Sequence, residues 1–251
     1  MSRELVEFAL AVFLVFCRIG GCLMVMPGFS SARFPMQARL FLVIALSFAL
    51  TPLIQPVTGQ SLVDMAPTSL MLLIGVELGL GLLIGLMGRY FFLGLQFIAV
   101  AIASFSGVGT MPSTAIDDGE PAPAIATLIT LTAVMLMFVT DLHLEIVRAL
   151  VDSYAVIPLA QGLDFSVSIE RLQTTLSTAT FLALQISAPF IIYSMIVNFA
   201  FGLANKLTPQ IPVYFISLPF VIAGGLFVLY FTIGEFLGVF VESFSLWLAN
   251  G

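Results

Sequence analysis

Charged side chains are scarce in this sequence. Only 9% of the 251 residues are Asp, Glu, Lys or Arg, whereas soluble domains average about 25%. So few charges cannot cover a globule of this size with a water-compatible surface, which excludes an ordinary soluble domain. The formal net charge is −6, with 8 Lys and Arg residues in total. This balance excludes a basic face for nucleic acid and a polybasic patch for anionic lipid.

Histidine and cysteine are scarcer still, which limits the chemistry of the chain. His143 is the single histidine, and its context Asp-Leu-His-Leu-Glu lacks the spacing of a zinc peptidase. Cys17 and Cys22 are separated by five positions, so on a helix they point in different directions and are expected to pack rather than to form a disulfide. We therefore predict no metal site, no cofactor and no enzymatic activity.

Apolar residues, in contrast, are abundant. They make up 60% of the chain, and the mean hydropathy is +1.15. A helix needs about 20 residues to cross a bilayer, and seven runs reach that range with no charge or one: 8–29, 40–63, 65–88, 90–116, 121–140, 172–205 and 207–234. This pattern predicts an all-α membrane protein built of helical hairpins, with short helices broken by loops in its first half.

The last third of the chain predicts a longer hairpin. Residues 172–205 contain no charge, which corresponds to about 51 Å of helix at 1.5 Å per residue. A second long arm is expected from Ile211 to about Leu248. Both arms exceed the thickness of a bilayer, and three residues mark the turn between them: Lys206, Pro209 and Gln210.

The positive charges conflict with a simple count of crossings. Lys and Arg concentrate in cytoplasmic loops, which places Arg33, Arg39 and Lys206 on the inside. If every apolar run crosses the membrane, Lys206 falls on the outside. One run is therefore expected to be re-entrant, and 104–123 is the best candidate, unless the helices do not cross a bilayer in the ordinary way.

The segment 104–123 lies between two apolar runs and is interrupted by glycine and proline. Non-helical backbone at membrane depth is tolerated only inside protein or beside a water-filled cavity. A pliable loop of small residues facing a lumen suits a plug or gate. A surface loop with solvated Asp117, Asp118 and Glu120 is the alternative, and composition alone leaves both open.

Glycines recur at helical spacing between residues 75 and 88. Gly75 with Gly79, and Gly81 with Gly85, have the small-xxx-small spacing that allows helix backbones to approach closely. We predict that these glycines lie at helix contacts. The partner helix can belong to this chain or to another subunit.

Three charges lie within or beside apolar runs: Arg18, Glu77 and Arg89. Each costs about 2.5–3.5 kcal/mol at the centre of a lipid-facing helix. They are therefore expected to face protein or water. Ion pairing inside an assembly and a proton relay are the two interpretations. Residues 141–171, where charged side chains lie among apolar ones, predict an interfacial or partner-facing helix followed by a polar loop.

Several motifs together resemble the FliR family of flagellar biosynthetic proteins. They follow one another over nearly the whole chain: Arg18-Ile-Gly-Gly21, Met26-Pro-Gly-Phe29, Phe34-Pro35 and Arg39, then Gly85, Tyr90-Phe-Phe92 and Gln96, then Asp141-Leu-His143, Ser153-Tyr154 and Ile157-Pro158, and finally Asn198, Gly202, Leu207-Thr-Pro-Gln210 and Leu218-Pro219. The sequence departs from the family at Pro212, where asparagine is frequent, and at Asp117-Asp118-Gly119, where Asp-Pro is more usual.

The resemblance implies a subunit of the type III export gate in the bacterial inner membrane, at the flagellar basal body. It implies partners similar to FliP, FliQ, FlhB and FlhA, with membrane lipid around the assembly and unfolded proteins as substrates. Residues 1–171 are expected to be FliP-like and residues 172–251 FliQ-like. The loop would supply a pore plug, and its candidate residues are Phe105, Ser106, Gly107, Val108, Gly109, Thr110, Met111 and Pro112.

Two other functions are compatible with the sequence. The injectisome counterpart of the same gate would share fold and mechanism. A small secondary transporter belongs to a different class, and such transporters have internal repeats. The first and last halves of this chain do not match each other, which disfavours the transporter.

Overall fold

The structure is a computed structural model, and it describes residues 3–31, 34–54, 63, 65–107, 109, 123–159, 165–210 and 213–250. Seven α-helices lie within these ranges: α1 Arg3–Val25, α2 Met36–Ile54, α3 Pro67–Phe105, α4 Ala124–Val139, α5 Leu142–Val156, α6 Phe165–Leu207 and α7 Val213–Asn250. The predicted all-α membrane-type fold is confirmed.

Five of the described helices, α1, α2, α3, α6 and α7, are long and apolar enough to cross a membrane. Helices α4 and α5 satisfy the same criterion only when they are taken together as one broken span. The break lies at Thr140 and Asp141, and Asp141 has a φ of 58°. Aspartate tolerates this left-handed conformation better than most residues. Most of 104–123, the predicted re-entrant segment, lies outside the described residues.

Helix α3 corrects the prediction of two separate helices at 65–88 and 90–116. It is one helix of 39 residues, about 58 Å long. The error came from dividing the apolar sequence at Arg89, although arginine is a good helix former. Proline occurs in α3 only at Pro67, its first residue, where the missing N–H is not needed. Nothing in the local sequence therefore ends the helix between its two halves.

The terminal hairpin has the predicted long arms. Helix α6 contains 43 residues and α7 contains 38, so both greatly exceed the hydrocarbon thickness of about 30 Å at 1.5 Å per residue. Lys206 lies in the last turn of α6, where its charge complements the helix dipole. Pro209 and Gln210 lie in the exposed turn that follows.

The chain is organised as two compact units. Unit 1 comprises Met1–Tyr90, Asp141–Leu176 and Trp247–Gly251, and unit 2 comprises Phe91–Thr140 and Ser177–Leu246. Helices α3, α6 and α7 each contribute residues to both units. The division into a FliP-like part, 1–171, and a FliQ-like part, 172–251, stays a prediction.

Each unit has its own apolar core. In unit 1, α1 packs on α2, and Leu14, Ile19 and Leu23 of α1 are buried. In unit 2, the rings of Phe92 and Phe240 meet edge to face, with their centroids 5.2 Å apart. Such pairs contribute about 0.5–1.5 kcal/mol beyond the area that they bury.

Candidate functional site

The structure places two of the predicted intramembrane charges against each other in unit 1. Arg18 of α1 and Glu77 of α3 are both fully buried. The Arg18 Nε donates to Glu77 Oε2 at 2.6 Å, and Nη2 donates to Oε1 at 3.1 Å. This two-bond arrangement is the strongest geometry available to a guanidinium and a carboxylate. It joins α1 to α3.

The other side of the same guanidinium binds the end of α5. Arg18 Nη1 donates to Ser153 Oγ at 3.1 Å, and Nη2 donates to the Ile157 carbonyl at 3.1 Å. The Tyr154 ring centroid lies 3.8 Å from Arg18 Cζ, which is a cation–π contact. Ile157 caps the C-terminus of α5, where a positive charge is favourable. We call Arg18, Glu77, Ser153, Tyr154 and Ile157 the Arg18 cluster.

In the sequence, Ser153, Tyr154 and Ile157 stand out only as motifs of the family resemblance, and not as partners of Arg18. Tyr154 continues a buried stripe at every fourth position, with Leu142, Ile146 and Leu150, so its burial could have been found from the periodicity. Its position beside Arg18 could not, because the two residues are far apart in the chain. Arg89 lies half-buried on α3, about 18 Å from Glu77 along the helix axis, and is therefore not part of the cluster.

Glycines of α3 contact the backbone of α1. A Cβ on Gly85 would lie 2.6 Å from the Cys22 carbonyl oxygen, and a Cβ on Gly81 would overlap the Arg18 carbonyl oxygen. No side chain fits at either position, so these two glycines allow the close crossing of the helices. Gly75 is exposed, with no described atom within 4 Å of its Cβ position, and Gly79 is half-buried. Contacts of Gly75 and Gly79 with another chain stay a prediction.

The predicted plug loop begins where α3 ends. Phe105 is the last residue of α3. Ser106 is fully buried, and its Oγ has no hydrogen-bond partner among the described residues. Gly107 has a φ of 73°, a conformation that glycine adopts without strain. Gly109 packs close to Ser104. Four of the predicted loop residues lie outside the described residues: Val108, Thr110, Met111 and Pro112.

The terminal hairpin exposes large apolar side chains. Phe199 of α6 is 70% exposed and Phe227 of α7 is 65% exposed. In the most apolar window of α7, only 11% of the residues are buried. Exposed apolar surface of this extent marks a membrane or protein contact.

Within the described part of the chain, no group of three or more His, Cys, Asp or Glu side chains is placed to hold a metal ion, and Cys17 and Cys22 are free thiols.

Long apolar helices, a buried ion pair and a wide exposed apolar surface together define an α-helical integral membrane protein. Comparison with known families then identifies its kind. The model of the bacterial export proteins, family 1, matches residues 9–247. The chain belongs to this family.

Curated relatives agree with the family match. The chain is 28% identical over 216 residues to the flagellar biosynthetic protein FliR of Caulobacter vibrioides, covering 85% of this chain and 84% of that protein. It is 25% identical over 231 residues to the flagellar biosynthetic protein FliR of Aquifex aeolicus, covering 89% and 85%. The corresponding protein of Pectobacterium carotovorum is 22% identical over 234 residues, covering 91% and 86%.

Proposed function

We propose that this chain, a subunit of the flagellar type III protein export gate, helps to form the secretion pore, and that the plug loop, residues 105–112, closes it. The gate lies in the bacterial inner membrane at the flagellar basal body. Its other subunits are FliP-like, FliQ-like, FlhB-like and FlhA-like proteins, and its substrates are unfolded proteins. The chain performs no covalent chemistry, and opening is a conformational change.

The family match carries this proposal. It covers residues 9–247, which include nearly all of the residues that the structure describes. The match reaches from α1 to α7 and therefore includes both the Arg18 cluster and the terminal hairpin. The curated relatives are named as flagellar proteins, which favours the flagellar gate over its injectisome counterpart.

The shapes of the helices support a place within an assembly. Helices α3, α6 and α7 contain 39, 43 and 38 residues, roughly twice what a perpendicular crossing requires. A lone bundle in lipid has no use for such lengths, whereas a ring of subunits can cover them. The exposed aromatic side chains of α6 and α7 provide apolar surface for such contacts.

The start of the loop supports its role as a plug. Ser106 is buried and Gly107 turns the chain out of α3, so the loop leaves from a fixed point inside protein. Its sequence continues with Val108, Gly109, Thr110, Met111 and Pro112. Methionine suits a seal, because an unbranched thioether adapts to irregular gaps. A small-residue loop with one such side chain can close a lumen and still be displaced by substrate.

Deletion of residues 107–115 tests the plug. We expect the gate to assemble at its normal size, because the helices that make the contacts are unchanged. We also expect the membrane to conduct small ions, measured as current across a bilayer that contains the purified gate.

A variant with Asp117, Asp118 and Glu120 changed to Ala is the control. It removes the acidic charges and keeps the loop, so we expect it to remain closed. Unchanged conductance in the deletion variant, with normal assembly, would contradict the plug.

A further inference from the structure

The root of the plug loop, Ser106 and Gly107, is packed tightly on α7. A Cβ on Gly225 would lie 2.5 Å from Ser106 Cβ and 2.6 Å from Ser106 Cα. Both distances are too short for any real side chain, and one of them involves the backbone of Ser106. Glycine is therefore the one residue type at position 225 that allows Ser106 to lie where it does. Ser106, directly after α3, and the N-terminal half of α7 are in contact here, within unit 2.

A second contact lies at the neighbouring glycine, Gly224. The Tyr193 ring of α6 lies in the space that a Gly224 side chain would fill, with Tyr193 Cζ 3.0 Å from the Gly224 Cβ position. The Tyr193 hydroxyl donates to the Val221 carbonyl at 2.8 Å. In a regular α-helix this carbonyl is the acceptor for the Gly225 N–H. One hydroxyl of α6 thus holds α7 at the turn on which the loop root rests.

Gly107 completes the contact from the loop side. Its Cβ position lies 3.2 Å from Val221 Cγ1 and 3.5 Å from Ile222 Cγ1. Val221 therefore packs against Gly107 with its side chain and accepts a hydrogen bond from Tyr193 with its carbonyl. We call Tyr193, Val221, Gly224 and Gly225 the loop seat.

We propose that the loop seat is a conformational latch: α7 holds the plug loop in its closed position, and displacement of α7 from Ser106 and Gly107 releases it. This inference rests on the proposed plug function. The physical basis is that Ser106 and the Tyr193 ring pack on adjacent glycines of α7. A shift of α7 at this turn therefore either pushes against Ser106 or removes the surface on which Ser106 and Gly107 rest. Rearrangement of the terminal hairpin would thereby be coupled to opening of the pore.

A disulfide tests the geometry without assuming that the loop is a plug. The Gly107 Cβ position lies 3.8 Å from Val221 Cβ, close to the mean of about 3.8 Å for disulfides. In the assembled gate, we expect the G107C/V221C pair to lose both introduced thiols on mild oxidation and to recover them on reduction. The control pair is G107C/V228C, since Val228 lies about 10 Å further along α7. Equal oxidation of the two pairs would contradict the seat.

Conductance then tests the latch. A cysteine at position 107 is strained in both pairs, because φ is 73° there, so G107C/V228C is the baseline. Relative to it, we expect oxidised G107C/V221C gates to be held closed and to resume secretion after reduction. We expect Gly225→Ala to displace Ser106 and to make assembled gates conduct ions, as deletion of 107–115 does. Gly234→Ala is the matched control on the same helix, because no described atom lies within 4 Å of its Cβ position.

The outcomes separate this inference from the proposed function. If deletion of 107–115 opens the gate and Gly225→Ala leaves it as closed as Gly234→Ala, the latch is wrong and the plug stands. If the disulfide forms selectively and deletion of the loop has no effect on conductance, the plug is wrong and the latch as stated is wrong with it. Selective oxidation together with leakage of Gly225→Ala supports the proposal.

Discussion

Arg18 satisfies its charge completely within unit 1. Removing a carboxylate and a guanidinium from water costs several kcal/mol each, and the cost is recovered only when the partners are well placed. Arg18 has the Glu77 carboxylate on one side, the Ser153 hydroxyl and the Ile157 carbonyl on the other, and the face of Tyr154 against it. The ion pair therefore acts as a structural joint between α1, α3 and α5.

Removing one member of this pair should be strongly destabilising. We expect Glu77→Gln to cost about 3–5 kcal/mol, because it leaves a buried guanidinium without its counter-charge. The double variant Arg18→Met with Glu77→Leu should cost less than the sum of the single variants, since it removes both charges together. The measurement is the thermal stability of the purified gate.

Glu145→Gln is the matched control for that experiment. Glu145 pairs with Arg148 at 2.7 Å, and their side chains are 40% and 70% exposed. An exposed pair contributes about 0–1 kcal/mol, so this variant should have nearly normal stability. If Glu77→Gln were as mild as Glu145→Gln, Arg18 would have to be neutralised by other groups.

At the scale of the helix, the glycines of one stretch lie in two different environments. Gly81 and Gly85 have no room for a side chain because the backbone of α1 lies against them. Gly75, on the same helix, is open in this chain. The spacing rule identified both pairs equally, because it detects small residues on one face and cannot identify what faces them.

Alanine substitutions should distinguish the two environments. We expect Gly85→Ala to destabilise the chain by about 1–3 kcal/mol, the usual cost of overpacking. Gly75→Ala should stabilise it by up to about 1 kcal/mol, because alanine is the better helix former. The opposite signs can be measured by thermal unfolding. A destabilised Gly75→Ala chain would show that its environment is not open.

Leucine at the same two positions tests assembly of the gate separately from stability of the chain. If Gly75 lies at a contact with another subunit, Gly75→Leu should reduce the amount of full-size complex while the chain itself stays folded. Gly85→Leu should reduce both the amount of full-size complex and the amount of folded chain. Size-exclusion profiles of gates purified through a tag on this chain distinguish the two patterns.

The sequence predicted the elements better than their contacts. Charge-free runs located the helices, since helices in lipid must be apolar over about 20 residues. The same rule failed at Arg89, where a charge interrupts the run without ending the helix. Ion pairing of Arg18, Glu77 and Arg89 was one of two interpretations, but which groups meet could not be predicted, because Glu77 is 59 positions from Arg18 and Ile157 is 139. The loop seat was invisible for the same reason, since Ser106 and Gly225 meet only in the fold.

At the scale of the whole molecule, the exposed apolar surface is longer than an upright helix can place in lipid. Large apolar side chains are exposed on α6 from Phe181 to Leu207, a distance of about 39 Å along the helix. The hydrocarbon core is about 30 Å thick. To fit all of this surface into lipid, the helix would need a tilt of about 40°, at the limit of the usual range. Cover by neighbouring subunits removes this requirement.

A photo-crosslinking amino acid in place of Phe199 tests whether protein covers this surface. Phe199 is 70% exposed and lies near the middle of the exposed stretch. In cells that make the complete gate, we expect irradiation to join this chain to another gate subunit, which peptide masses then identify. In cells that make this chain without the other subunits, the product should disappear, because only lipid is then available. Joining to lipid alone in both strains would show that α6 faces the bilayer, and a subunit contact at Phe199 would have to be abandoned.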